Sequence, residues 1–310
     1  MKKISIVSPC YNEEKNLQAV YQEVKKQFAD NLKTYDYEHI FIDNRSTDES
    51  PSILRSLAQN DLRVKVIFNS RNFGHIRSPV YALYQATGDA VILLVSDLQD
   101  PPNLIPELIK KWEEGNKIVV AIKKESEESA LMFGIRTLYY NIINKISETK
   151  LAKNYTGFGI YDKKVIDVLK SLDDPYPYLR GLIFKVGFKT DHIYYVQPKR
   201  KRGVTKNNFY TLYDLAMLGI CTHSKVPLRF FTITGFITGG ISLFISLIYL
   251  MLKLILWDNF KLGMAPLIIG LFFFSAIQIF SIGIIGEYIG LILTKVTKEP
   301  LVIEEERLNF

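Results

Sequence analysis

Two apolar stretches near the carboxyl end, residues 231–252 and 265–285, constrain the fold of this chain more than any other feature. Each supplies about the 20 apolar residues that a helix needs to cross a hydrocarbon core. Across residues 230–293 the only charged groups are Lys253, Asp258, Lys261 and Glu287. A soluble core could hide such a hairpin only under a large covering mass, which the rest of the chain does not supply. The expectation is therefore a pair of transmembrane helices within residues 230–293. A juxtamembrane amphipathic segment at 209–229 precedes them and a short tail at 294–310 follows. Two spans return the chain to its starting side. Lys225, Arg229, Lys295 and Lys298 flank the outer ends, whereas Lys261 and Asp258 lie between the spans. By that asymmetry both termini are expected on the cytosolic face of the membrane.

The remaining chain is different in kind. Of the 310 residues, 48% are hydrophobic and the net charge is +7, and outside the apolar tract the charges are densely spread. The densest basic cluster is Lys199-Arg200-Lys201-Arg202 with Lys206 close behind, just ahead of the apolar tract. Basic residues at that position favour anionic lipid headgroups over nucleic acid. Cys10 and Cys221 are the only cysteines, so neither a metal cluster nor a disulfide framework is indicated, and a reducing compartment fits. The first apolar run is too short for the core of a secretory signal. Residues 1–208 are accordingly expected to form one cytosolic catalytic domain.

Within that domain, short β-branched runs alternate with longer amphipathic segments. Residues 4–8, 37–43, 64–68, 90–96 and 117–121 read as strands, and 13–28, 48–59, 76–86, 103–114 and 131–146 as helices. This alternation predicts an α/β fold, a mostly parallel sheet with helices on both faces. Ligands of such sheets bind at the carboxyl ends of the strands. Neither G-x-G-x-x-G nor G-x-x-x-x-G-K-[ST] is present, which argues against a dinucleotide enzyme and a P-loop NTPase. The strand ends instead carry Pro9-Cys10-Tyr11-Asn12-Glu13-Glu14, Asp43-Asn44-Arg45-Ser46-Thr47-Asp48 and Asp97-Leu98-Gln99-Asp100-Pro101-Pro102.

A sugar nucleotide needs an acceptor for its base or ribose and a divalent cation on its diphosphate. Asp43 is placed for the first task. Asp97 and the amide oxygen of Gln99 suit the second, for Mg²⁺ or Mn²⁺, because residues i and i+2 of an extended segment point the same way. Helix capping is the competing explanation for Asp48 and Asp100.

Together these strings, with Arg71-Asn72-Phe73-Gly74, the basic 200–206 loop, Pro227-Leu228-Arg229 and Gly286-Glu287-Tyr288-Ile289-Gly290, resemble the family-2 glycosyltransferases. More narrowly, they are similar to the polyprenyl-phosphate glycosyltransferases related to dolichyl-phosphate mannose synthase and bactoprenol glucosyltransferases. The resemblance covers essentially the whole chain. It implies a GT-A fold and inverting transfer of one sugar from an NDP-sugar, UDP-glucose first, to undecaprenyl or another polyprenyl phosphate. It also implies donor binding by Pro9, Tyr11, Glu13, Asp43 and Arg71, and a catalytic set of Asp97, Gln99, Arg200, Arg202 and Lys206, the three basic residues binding phosphates. A homo-oligomer is left open.

Three positions depart from the family pattern. Val95-Ser96-Asp97 stands where Asp-x-Asp is usual, so one metal carboxylate is missing. Arg45 brings an extra cation beside Asp43. Gly157 occupies the position of an acid that serves many relatives as a base. A phosphate monoester tolerates the last change, because its second pKa near 6 leaves it largely dianionic at neutral pH. Two other readings carry less. A processive polysaccharide synthase would show a Gln-x-x-Arg-Trp-like string and more helices. A catalytically silent membrane partner fits Val95 and Gly157 but not the retained Asp43, Asp97 and Gln99.

Overall fold

The computed structural model describes residues 1–124, 152, 154–198, 209–255 and 264–310. An eight-stranded sheet forms the centre of the domain that precedes the apolar helices. Its strands are β1 (Lys3–Cys10), β2 (Asp36–Asp43), β3 (Val64–Asn69), β4 (Ala90–Leu93), β5 (Ile118–Lys123), β6 (Tyr155–Asp162), β7 (Thr190–Tyr195) and β8 (Glu304–Leu308). In space they run β7-β5-β6-β4-β1-β2-β3-β8. The β4-β1-β2-β3 core is parallel, β6 runs antiparallel to both β4 and β5, and β8 runs antiparallel to β3.

Side-chain alternation along the strands divides the core between the two faces of the sheet. On one face Ile4, Ile6 and Phe41 pack with residues of α1 (Leu17–Asp30), α2 (Ser50–Asn60) and α4 (Ile105–Glu113). On the other, Val7, Ile40 and Ile42 pack with α3 (Gly74–Gln85), α5 (Lys163–Ser171) and α6 (Leu179–Lys185). Each helix presents an apolar stripe to the sheet; Val20 and Val24 on α1, four residues apart, are fully buried. A single 3-10 turn over Pro102–Leu104 leads into α4, with proline at its start as expected.

The expected strands and helices of the first 124 residues are present, with shifts at their ends. The fourth strand stops at Leu93 rather than at residue 96, and residues 13–16 form a turn ahead of α1. The expected helix at 131–146 lies outside the described residues. Three strands have no counterpart in the sequence reading: β6, β7 and β8. The last of these makes the 294–310 segment more than a tail. Ser70 donates its amide to the Ile303 carbonyl at 2.9 Å, and Asn309 Nδ2 donates to the carbonyls of Ala58 and Val64 at 2.7 and 2.8 Å. Arg45 pairs with Glu305 and Arg55 Nη2 with Glu306 at 2.6 Å, which gives the added cation at position 45 a partner.

Between the sheet and its returning strand run α7 (Phe209–His223), α8 (Val226–Ile255) and α9 (Met264–Val296). At 1.5 Å per residue the last two are roughly 45–50 Å long. No described side chain of α8 is buried, and Phe236 is 79% exposed. Apolar surface on that scale requires a covering medium, and the two helices are candidate membrane spans by length and composition. Several of their hydroxyl groups are satisfied within the helix: Thr232 and Ser281 donate to carbonyls four residues back. Phe231 and Phe280 meet edge to face with centroids 5.5 Å apart, and Tyr288 donates to the Ser224 carbonyl at 2.7 Å.

The most demanding buried charge is Glu38, on β2. Its carboxylate, whose side chain is 2% exposed, accepts from Lys3 Nζ (2.8 Å), Ser5 Oγ (2.6 Å) and the Thr87 amide (2.8 Å), and pairs with Lys65 Nζ at 2.9 Å. Burial pushes its pKa up, but the hydrogen bonds from Lys3, Lys65, Ser5 and Thr87 outweigh this and bring it from 4.5 to about 2. A carboxyl lowered in the folded state contributes stability that is complete above its unfolded pKa and is lost as the pH falls through its folded value. A shift of that size corresponds to about 3 kcal/mol. Glu38→Gln is therefore expected to lower the stability of the detergent-solubilised protein at pH 7 by about 3 kcal/mol. It should also flatten the acid limb of stability between about pH 4.5 and 2 in urea unfolding. An acid limb identical to wild type would contradict the network.

Candidate active site

The order β4-β1-β2-β3 arises because the chain steps outward from β1 to β2 and β3 and then returns to the other side of β1. That reversal opens a crevice at the carboxyl ends of β1 and β4, where open α/β sheets bind ligands. A cavity of about 580 Å³ lies there, within the range of small-molecule sites.

Its walls come from several loops. Pro9, Cys10, Tyr11 and Glu13 follow β1, Asn44 follows β2, and Asn72, Gly74 and His75 follow β3. Val95, Ser96, Asp97, Gln99 and Asp100 follow β4. Lys123 ends β5, and Thr156 and Gly157 begin β6. Tyr178 just before α6 and Leu179 and Arg180 in its first turn add to the wall, and Gln197 completes it on the approach to the basic segment.

The first two loops are laced together by side chains acting as substitutes for backbone partners. Asn12, at φ 54°, receives the Thr47 amide on Oδ1 at 2.7 Å, and its own amide donates to Ser46 Oγ at 2.8 Å. The Glu13 amide donates to Ser50 Oγ at 2.9 Å. Asp48 receives the amides of Ser50 (3.0 Å) and Glu14 (3.2 Å), so it ties the start of α2 to the loop after β1. Asn44 ties β2 to the Arg71–Gly74 string. Its Oδ1 accepts from the Phe73 amide at 2.9 Å and from Asn69 Nδ2 at 3.0 Å, and its Nδ2 donates to Asn72 Oδ1 at 2.8 Å. Gly74 sits at φ +82°, a conformation that favours glycine.

Asp97 and Gln99 both line the cavity, but not by the extended geometry expected of them. The strand has already ended at Leu93, and Leu98 between them lies in the left-handed region at φ 59°. A turn brings the two together, with the Gln99 amide donating to Asp97 Oδ1 at 3.0 Å. Ser96 Oγ donates to the Pro9 carbonyl at 3.0 Å and locks this loop to β1. No group of three or more His, Cys, Asp or Glu side chains converges on a metal site among the described residues. One carboxylate and one amide oxygen nevertheless suit Mg²⁺ or Mn²⁺ arriving with a diphosphate. Magnesium in particular is often held by one or two carboxylates, substrate phosphates and water.

Of the other expected residues, Pro9, Tyr11 and Glu13 are in the wall, whereas Asp43 and Arg71 are not. Asp43 is 2% exposed and turned into the loop base, where Oδ2 receives the Ser46 amide at 3.0 Å; burial raises its pKa. Arg71 lies over the Phe73 ring, 4.1 Å from its centroid. Arg200, Arg202 and Lys206 lie outside the described residues.

Two features of the site were not anticipated. Asp100 is no helix cap. It is 3% exposed, accepts from Tyr195 Oη at 2.6 Å, and is raised by burial to a pKa of about 6. Gly157 adopts φ +114°, and a Cβ there would meet Leu93 Cδ2 at 3.3 Å, so this backbone resists the acid that relatives carry. The carbonyl of Gly157 receives Tyr161 Oη at 2.5 Å.

Comparison with known proteins agrees with this geometry. Residues 5–169 match Glycosyl transferase family 2. The chain is 35% identical to the prophage bactoprenol glucosyl transferase homolog of Escherichia coli K12, over 96% of this chain and 97% of that protein. It is 34% identical to the bactoprenol glucosyl transferase of Shigella phage SfII, over 96% of each. Among solved structures, glucosyl-3-phosphoglycerate synthase from Mycobacterium tuberculosis, in complex with Mg²⁺ and UDP, is similar at 19% identity and a TM-score of 0.47. That likeness covers 71% of this chain and 78% of the other. A largely parallel sheet with its acidic turn after β4, matched through most of its catalytic domain, makes this chain a glycosyltransferase of GT-A fold that belongs to glycosyl transferase family 2.

Proposed function

We propose that the protein transfers a single sugar from an NDP-sugar, with UDP-glucose the first candidate, to the phosphate of undecaprenyl or another polyprenyl phosphate at the cytosolic membrane face. The observation that carries this reading is the placement of the Asp97–Gln99 turn in a 580 Å³ cavity of a chain whose sheet is continuous with two unburied apolar helices. The names of the bactoprenol glucosyl transferase relatives support the acceptor class and the sugar. Pairing of β8 with β3 supports the topology, since a chain that leaves the sheet and rejoins it must cross a bilayer an even number of times.

In this reading the β1 and β2 loops receive the nucleotide, with Pro9, Tyr11, Glu13 and Asn44 forming the wall and Asp43 holding the loop beneath. Asp97 and Gln99 would hold Mg²⁺ or Mn²⁺, which when bound offsets charge on the diphosphate. An oxygen of the acceptor phosphate attacks the anomeric carbon from the face opposite the diphosphate. The bond from that carbon to the leaving oxygen breaks, its electron pair departs with the nucleoside diphosphate, and the anomeric configuration inverts. The acceptor is already dianionic, so no protein base removes a proton, in keeping with glycine at position 157. Lys123 adds positive charge to the wall, and Arg200, Arg202 and Lys206 are assigned to the phosphates. An acceptor confined to the bilayer meets a catalytic domain tethered at the same surface, which raises its effective concentration.

Membranes containing the protein, supplied with polyprenyl phosphate and a panel of labelled NDP-sugars, should move label into the organic phase. Label found only in polymer or only on protein would refute the reading. Asp97→Asn is expected to lower transfer at least 100-fold, as when a group that stabilises developing charge is removed. Transfer at the wild-type rate in saturating Mn²⁺ and Mg²⁺ would remove Asp97 from the metal site.

A further inference from the structure

Arg180, like Lys123, is a cavity cation that neither the family motifs nor the loops after β1, β2 and β4 account for. It lies on α6 and lines the same cavity as Asp97 and Gln99. The wall also carries the acids Glu13, Asp97 and Asp100, and the charge of Arg180 acts on Asp100, yet among the described residues no hydrogen bond or short ion pair holds its guanidinium. Its field reaches His75, whose pKa is lowered first by burial and then by this cation. A guanidinium that is partly exposed in a ligand cavity, with its fork of donors unmatched, is suited to a phosphate brought by a substrate.

The attachment of this part of the wall indicates which phosphate. The segment leading into α6 is held by the membrane-proximal end of α9 and the chain just beyond it. Lys295 Nζ donates to Asp174 at 2.7 Å. Arg77, whose side chain is 11% exposed, pairs with Glu299 at 2.8 Å and lies 5.4 Å from the centroid of the Tyr176 ring. Tyr178 and Arg180 follow within the next few residues and enter the wall. The nucleotide-facing loops after β1 and β2 are braced differently, by each other and by β8. Arg180 thus belongs to the part of the cavity wall anchored to the apolar helices, the side from which a lipid confined to the bilayer would present its headgroup.

We infer that Arg180 binds the phosphate of the lipid acceptor, holding the attacking oxygen in place rather than contacting the donor diphosphate. This inference rests on the transfer reaction proposed above. A guanidinium in that role orients the dianion through paired N–H donors without removing its nucleophilic oxygen from reach of the sugar.

The test uses the full chain in lipid nanodiscs, with Arg180→Ala and Arg180→Lys beside wild type. Two quantities are read: the KM for polyprenyl phosphate at saturating UDP-glucose, and the Kd for UDP with Mn²⁺ by calorimetry. Arg180→Ala is expected to raise the acceptor KM at least tenfold while the Kd for UDP stays within twofold, which also reports an intact fold. Arg180→Lys, which keeps the charge but not the fork, should fall between the two. An acceptor KM within twofold of wild type in Arg180→Ala would overturn the assignment. So would a weakened UDP affinity in Arg180→Lys, which would place Arg180 on the donor. Wild-type protein that formed no organic-soluble product from any NDP-sugar would instead refute the underlying reaction.

Discussion

The pairing of β4 on one side of β1, opposite β2, is the constraint from which the rest of the site follows. Because all three strands are parallel, their carboxyl ends lie together, and the loops after β1 and β4 must diverge. The divergence leaves a crevice whose floor is backbone and whose walls are the chemistry-bearing loops. Every later feature fixes one of those loops. Asn12 and Asp48 join the first to the second, Asn44 joins the second to the third, and Ser96 joins the fourth to the first. Amide donors bound to fixed side chains cannot reorganise cheaply, so the crevice is formed before any ligand arrives.

The second constraint is the return of the chain to its own sheet. β8 carries three consecutive glutamates, a composition depleted in strands. It forms an edge strand because the β3 edge offers unpaired backbone groups and because Arg45 and Arg55 stand beside it. Exposed ion pairs of this kind contribute little stability each. Their consequence is geometric, since they specify which edge the strand joins. With Lys295–Asp174 and Arg77–Glu299 they attach the catalytic domain to the end of α9 and to the segment that follows it at several separate points.

Much of this was legible in the sequence. The parallel core announced itself because buried parallel strands are short apolar runs, and the amphipathic helices between them repeat every 3.6 residues. The apolar helices were legible for a simpler reason, that nothing else accommodates such length without charge. The antiparallel additions were hidden. β6 contains Gly157 and Gly159, which break a strand pattern, and Gly159 is required there because a Cβ would come within 2.5 Å of the Val119 carbonyl oxygen. At the site, residue identities carried further than geometry. Asp97 and Gln99 both line the cavity, but their approach depends on Leu98 at positive φ, which an extended-strand argument cannot foresee. Asp43 and Arg71 sit in motif strings but outside the cavity wall, the carboxylate held by its own loop and the guanidinium over an adjacent ring. Arg180 lies in no strand-end motif, and only the folded wall reveals it.

In the proposed reaction the Asp97–Gln99 turn takes the donor through a divalent cation. Calorimetric titration of UDP into the solubilised protein, with and without Mn²⁺, tests this most directly. Mn²⁺ is expected to tighten UDP binding at least tenfold, and Asp97→Asn to abolish the gain while leaving the metal-free affinity unchanged. Equal affinity for UDP with and without the metal in the wild-type protein would contradict it.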